Sequence, residues 1–205
     1  ASDVYKRQIY DFGQNCAGVL ELEIKGRKGQ RITARHAEVL LNGELFTKPL
    51  RSAKAKLEYV CGGEEETYCP KFTFMGFRYA ELCGIEPENV KVRMKVISSV
   101  DEETGDFFCS NESINRLQKN IRYSGFSNFL EIPTDCPQRD ERLGWTGDIS
   151  VFASTACFNF NMNRFLRKWL IDVKAQQTKD GGIPVVVPRV KHCLLYTSPS
   201  PRDIS

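Results

Sequence analysis

Between Asp135 and Asp148 the chain reads Asp-Cys-Pro-Gln-Arg139-Asp140-Glu141-Arg142-Leu-Gly144-Trp145-Thr-Gly147-Asp. Four carboxylates, two guanidiniums and an indole share this stretch with Pro137 and two glycines. That composition suits neither a solvated helix face nor a strand, and it predicts a shaped loop whose side chains a rigid scaffold can aim into a cleft. Sugar chemistry asks for such parts: a carboxylic acid to protonate a glycosidic oxygen, fixed carboxylates for ring hydroxyls, and a flat apolar surface for a ring face. A general acid must keep its proton near neutrality, which a neighbouring carboxylate or an apolar wall arranges. Glu141 and Asp140 compete for that post on residue type alone, with Asp135 and Trp145 at hand. The plainer use of the same residues is structural: Arg139 pinning the loop in an ion pair, Trp145 filling a core, and Asp148 capping a helix.

The stretch from Asp135 to Asp148 resembles the active-site signature of the bacterial α-L-rhamnosidases, inverting glycosidases built on a barrel of helical hairpins. The resemblance implies that Glu141 is the general acid. It also implies that Asp135, Arg139 and Asp148 hold rhamnose hydroxyls and that Trp145 stacks near the apolar face of the sugar. Arg142 is assigned to structure. The implied partner is a rhamnose-containing glycoside, with no cofactor and no metal. An inverting reaction needs a second carboxylate as base. In this family it comes from a much later loop, so the chain is expected to be an incomplete enzyme, inactive alone. A non-catalytic carbohydrate-binding or structural protein, and a different glycosidase on the same barrel, are the alternatives.

The elements that must position these residues fall into two halves. From Ile9 to about Val100 the pattern has a period of two. Leu20, Leu22 and Ile24 alternate with Glu21, Glu23 and Lys25, and after a turn at Gly26–Gly29 the alternation resumes at Ile32, Ala34 and His36. This predicts a hairpin with one buried face. Phe72–Tyr79 is aromatic-rich, and Val92, Met94 and Val96 alternate with Lys91, Arg93 and Lys95. Short strands punctuated by Gly, Asn and Pro predict an antiparallel β-sandwich over residues 9–100. Tyr68, Phe74 and Phe77 are expected in its core rather than on a sugar, and His36 as a strand residue without a special role. A sandwich before a catalytic barrel is also what the resemblance implies, as a concanavalin-like domain with Phe72–Tyr79 as its best-marked strand.

The period changes near Val100-Asp-Glu-Glu-Thr-Gly105. Ser110 is the predicted N-cap of a first helix, with Glu112 in its first turn. Ile114, Leu117, Ile121 and Phe129 lie on one face, and Pro133 ends the element. Asp148 is the predicted cap of a second helix carrying Ile149, Phe152, Ala153 and Ala156. A third carries Phe165, Leu166, Trp169, Leu170 and Val173 and stops before Gly181-Gly182 and Pro184. The expected fold is therefore a β-sandwich followed by the first helices of an (α/α)6 barrel over residues 101–192.

The full sequence has 205 residues, a net charge of +3 with both signs mixed, eight cysteines and 41% hydrophobic content. That balance implies no acidic partner, and the sequence has no basic stripe suited to nucleic acid and no apolar run of membrane-spanning length. The cysteines form no C-x-x-C pair, and with two histidines a zinc site is not expected. Free thiols favour a reducing compartment such as a bacterial cytoplasm, with a periplasm as the alternative. The two ends differ from the rest. Residues 1–8 back-translate as GCG TCA GAT GTG TAT AAG AGA CAG and Cys193–Ser198 as TGT CTC TTA TAC ACA TCT, which are reverse complements over most of their length. They resemble the translated ends of a transposase-based sequencing adapter, so residues 1–8 and 193–205 are set aside from the fold.

Overall fold

A computed structural model describes residues 7–100 and 102–190. Most of both adapter-like ends, and His192, lie outside the described residues. The chain divides into two compact units. One runs through Ile97 and takes in Pro137–Asp140, and the other takes Ser98–Cys136 and continues from Glu141.

The first unit is built on strands β1 (Gln8–Lys25), β2 (Arg31–Ala37), β5 (Lys56–Val60), β6 (Glu65–Tyr68), β7 (Met75–Cys83) and β8 (Val90–Val96), with a short ribbon of β3 (Leu40–Leu41) and β4 (Glu44–Leu45). All pairings are antiparallel, in the order β5-β2-β7-β1-β6, with β8 also on β1. The 18-residue β1 is long enough to serve two layers. Residues Gln8–Gly18 pair with β7, across a register shift between Asp11 and Cys16, while Gly18–Ile24 pair with β8 and Leu22–Lys25 with β6. Leu20, Leu22 and Ile24 from the second stretch pack on Ile32, Ala34, Leu57, Phe77 and Leu82 from the other strands. The period-two pattern thus closes a β-sandwich.

Several local expectations change. β1 and β2 do not form a hairpin: β7 lies between them, so the Gly26–Gly29 turn joins strands that are not neighbours. Alternation marks a buried face but says nothing about which strand lies beside it. The strand expected at Phe72–Tyr79 starts three residues later at Met75, because Phe72 adopts φ +60° and points fully into solvent. β1 already includes Gln8, whose amide donates to the Ile85 carbonyl at 2.6 Å. Phe77 is completely buried, and Tyr68 stacks on Tyr59 with 4.3 Å between centroids, so both serve the fold. His36 is sealed beside Phe77 at 4.6 Å and bonded through Nδ1 to the Ala55 carbonyl at 2.8 Å. Burial pushes its pKa down to about 4.

The second unit has α1 (Glu112–Asn128), the two-residue strands β9 (Phe129–Leu130) and β10 (Ile132–Pro133), α2 (Thr146–Asn159) and α3 (Asn163–Gln176). Its core is an aromatic cluster in which Phe129 meets Phe165 at 5.1 Å and Phe126 meets Phe160 at 4.9 Å, backed by Ile149, Trp169 and Val187. Asn111, not Ser110, caps α1, its side chain accepting from the Ser113 and Ile114 amides. The face expected to bury Ile114 and Leu117 leaves both exposed. This end of α1 is tied down instead by polar contacts, Asn115 to Cys109 and Gln118 to Asn159 at 2.6 Å.

Candidate active site

The charged loop begins where α1 stops, but Pro133 is not what stops it. The helix ends at Asn128, where the Phe129 amide bonds back to Gly125, and the chain reverses through the β9–β10 ribbon. Glu131 makes the turn at φ +64°, its amide held by Ser99 Oγ at 2.8 Å. The Asn128 carbonyl then accepts from both the amide and the hydroxyl of Thr134, at 2.8 and 3.0 Å. Pro133 acts one step later, as a buried member of the ribbon.

Asp135 closes the neck of the loop. Its amide donates to the Leu143 carbonyl at 3.3 Å, and its Oδ1 accepts from the Leu143 amide at 3.1 Å. Thr134 bridges Gly144 one residue further out on each side. The other flank is clamped by Pro184–Val187. Thr146 donates its amide to Val185 at 2.9 Å and its hydroxyl to Pro184 at 3.0 Å, and the Gly144 carbonyl accepts from the Val187 amide at 2.9 Å. A Cβ on Gly144 would lie 2.2 Å from the Val187 carbonyl oxygen, so the clamp requires glycine there. Pro184–Val187 was not foreseen as a partner, since nothing in its sequence marks it as the segment that bridges Trp145.

Within this frame the predicted residues separate. The carboxylates of Asp135 and Glu141 come together: with Cys136 Sγ, their donor atoms all lie within 4.8 Å of one another. Asp135 also lines a cleft of about 430 Å³ together with Asp148, Asn128, Thr134, Phe129 and Phe152. That volume lies in the range of small-molecule sites, and its walls mix aromatic faces with carboxylates, as a sugar requires. Asp148 is not the cap of α2. Trp145 occupies that position, and Asp148 stands exposed in the first turn, where its charge complements the helix dipole. Trp145 is half-buried, lies outside the aromatic core cluster, and has an indole N–H that is buried without a hydrogen-bond acceptor. Arg139 falls with Pro137–Asp140 in the sheet unit.

Asp140 is separated from Glu141 by its surroundings. Its exposed carboxylate accepts a hydrogen bond from Ser52 Oγ. That bond, aided by backbone amides and the positive charge of Arg51, holds its pKa below the ordinary aspartate value. A carboxyl so held is ionised at neutrality and is a poor proton donor. Asp135 in turn sits too close to Glu141 to be its partner base, because an inverting pair stands about 6.5–9.5 Å apart to admit a water. The arrangement suits one acid with a neighbouring carboxylate that holds substrate.

Residues 4–101 match the bacterial alpha-L-rhamnosidase concanavalin-like domain, and residues 102–202 match the bacterial alpha-L-rhamnosidase 6 hairpin glycosidase domain. The chain belongs to the bacterial α-L-rhamnosidase family. Among rhamnosidase relatives, an α-L-rhamnosidase of Streptomyces avermitilis is 45% identical over 186 residues and one of Formosa agariphila is 43% identical over 190. These alignments take in 89% and 90% of this chain but 18% and 20% of those proteins, so the chain spans about a fifth of their length. A crystal structure of the Streptomyces avermitilis rhamnosidase complexed with L-rhamnose superposes with a TM-score of 0.85 at 43% identity, over 90% of this chain and 18% of that one. The rhamnosidase of Aspergillus terreus gives 0.81 at 45%, over 88% and 22%. The sandwich followed by hairpin helices is thus the rhamnosidase arrangement, present here in part.

Proposed function

We propose that the protein containing these residues hydrolyses terminal α-L-rhamnosides with inversion, and that Glu141 protonates the departing glycosidic oxygen. Asp135, Asp148 and Arg139 take the ring hydroxyls, and Trp145 offers its indole to the sugar. Asp135 carries the reading, because it belongs at once to the wall of the cleft and to the pair with Glu141. A ligand seated against Asp135 and Asp148 is then within reach of the acid. The relative crystallised with L-rhamnose supports this choice of sugar. The base that activates water is left unassigned among these residues.

The test is made on the full-length protein with p-nitrophenyl α-L-rhamnoside beside a panel of other aryl glycosides, following the first-formed anomer by NMR. Preference for the rhamnoside with release of the β-anomer is expected. Preference for another sugar would assign a different glycosidase to the same fold. Retention of rhamnose binding without turnover by the full-length protein would assign a binding role.

A further inference from the structure

We propose that Ser52 is a positioning residue for the general acid: through Asp140, it fixes the point of the sheet unit from which Glu141 departs. The inference rests on the reading of Glu141 given above. The motif is not one structural piece, since Pro137–Asp140 clusters with the strands while the residues on either side of it do not. Two separate contacts hold this short segment. The first is steric. Gly76, the second residue of β7, meets it so closely that a Cβ would lie 2.8 Å from the carbonyl carbon and the ring of Pro137 and 2.9 Å from the Gln138 nitrogen. The second is polar. Ser52 Oγ donates to Asp140 Oδ2 across 88 residues of sequence, and the Ser52 backbone amide donates to the same carboxylate.

Ser52 does not reach Asp140 from an ordinary turn. It follows the 3-10 helix Lys48–Leu50, and Arg51 before it takes φ +55°, a left-handed conformation that non-glycine residues rarely adopt. The same turn brings the charge of Arg51 to bear on Asp140. Because the Ser52–Asp140 bond is exposed, it adds little stability. Its consequence is geometric: Glu141 is joined to Asp140 by one planar peptide, about 3.8 Å from Cα to Cα, so an anchored Asp140 limits where Glu141 can stand. A displacement of about 1 Å at a reacting group costs up to about 10²-fold in rate.

The experiment compares Ser52→Ala, Ser52→Thr and Asp140→Ala in the full-length protein. Turnover of p-nitrophenyl α-L-rhamnoside is read together with hydrogen exchange of the peptide spanning Cys136–Leu143. Ser52→Ala, which keeps the backbone amide's bond to Asp140, is expected to lower kcat about twofold to fivefold, with KM and the unfolding midpoint nearly unchanged and faster exchange in the loop. Ser52→Thr restores both readouts. Combining Ser52→Ala with Asp140→Ala is no worse than Asp140→Ala alone, as a shared pathway requires. Unchanged kcat and exchange in Ser52→Ala would overturn the proposal, as would a fall in kcat that follows the unfolding midpoint and is not rescued by threonine. If exchange responds but Glu141→Gln keeps its rate, the assignment of Glu141 fails, and the catalytic part of the inference fails with it.

Discussion

The two compact units expose their apolar residues in different places. In the sheet unit these lie at strand ends and in connections, as with Ile9, Val60, Val96, Phe72 and the β3 residues Leu40 and Leu41. In the helical unit they lie on the helices as well as in the connections: Ile114 and Leu117 on α1, Val151 and Phe158 on α2, and Leu170 and Ile171 on α3, with Phe107, Phe108, Ile183 and Val190 outside the helices. A strand buries alternate residues on one face, and the strands of the sheet unit close a core of their own among the described residues. A helix presents a stripe that is covered only where another helix lies against it. Burial in the sheet therefore follows from the pattern of its own residues, while burial in the helices depends on which neighbours each face meets.

The comparison can be broken or sharpened by substitution. The largest effect belongs to chemistry rather than packing: Glu141→Gln in the full-length protein should cut kcat for an aryl rhamnoside by about 10²- to 10⁴-fold, with little change in the unfolding midpoint. Next comes the closed core. Phe77→Ala should cost about 3–5 kcal/mol in urea denaturation, because the side chain is fully buried among β1, β2 and β7. A smaller loss would mean that the sandwich is looser than its packing indicates.

His36 provides a pH-dependent probe of the same core. Its pKa is about 4 in the fold, below the ordinary histidine value of 6.5. Between those values the unfolded chain binds a proton that the folded chain refuses, so stability falls as pH drops from about 6.5 to about 4. The slope approaches about 1.4 kcal/mol per pH unit and should be missing from the urea curves of His36→Phe. In the helical unit Asn111→Ala should cost about 1 kcal/mol through the lost cap of α1, whereas Ser110→Ala costs almost nothing. The smallest change is expected at Leu117→Ala, within about 0.5 kcal/mol, because that side chain is exposed in mid-helix. A cost there near that of Phe77→Ala would erase the distinction between the two units.

Much of the candidate site was legible because its residue types are so uneven. Asp135, Glu141 and Asp148 stand out by charge, and the prolines and glycines around them mark a loop. The pairing of Asp135 with Glu141 was not legible, since six residues of sequence separation do not say that a loop closes at Asp135 and Leu143. Nor was the clamp at Pro184–Val187, or the hydrogen bond from Ser52 that distinguishes Asp140 from Glu141. Helix starts were misjudged, by one residue at α1 and by three at α2. Ser110 and Asn111 are both good caps, and the choice between them depends on which backbone turns first. Asp148 looked like a cap because it precedes an apolar run, yet the Val185 carbonyl that receives the Thr146 amide starts the helix earlier.

By itself the sequence determined the two fold classes and the loop in which these carboxylates sit. Side-chain period and turn residues are local properties, and they survive being read one residue after another. Tertiary structure alone decided that β7 separates β1 from β2, that the apolar stripe of α1 stands open, and that Pro137–Asp140 belongs with the strands while Glu141 does not. Each of these depends on contacts between residues tens of positions apart, and no local pattern encodes which of many chemically equivalent partners a face will meet.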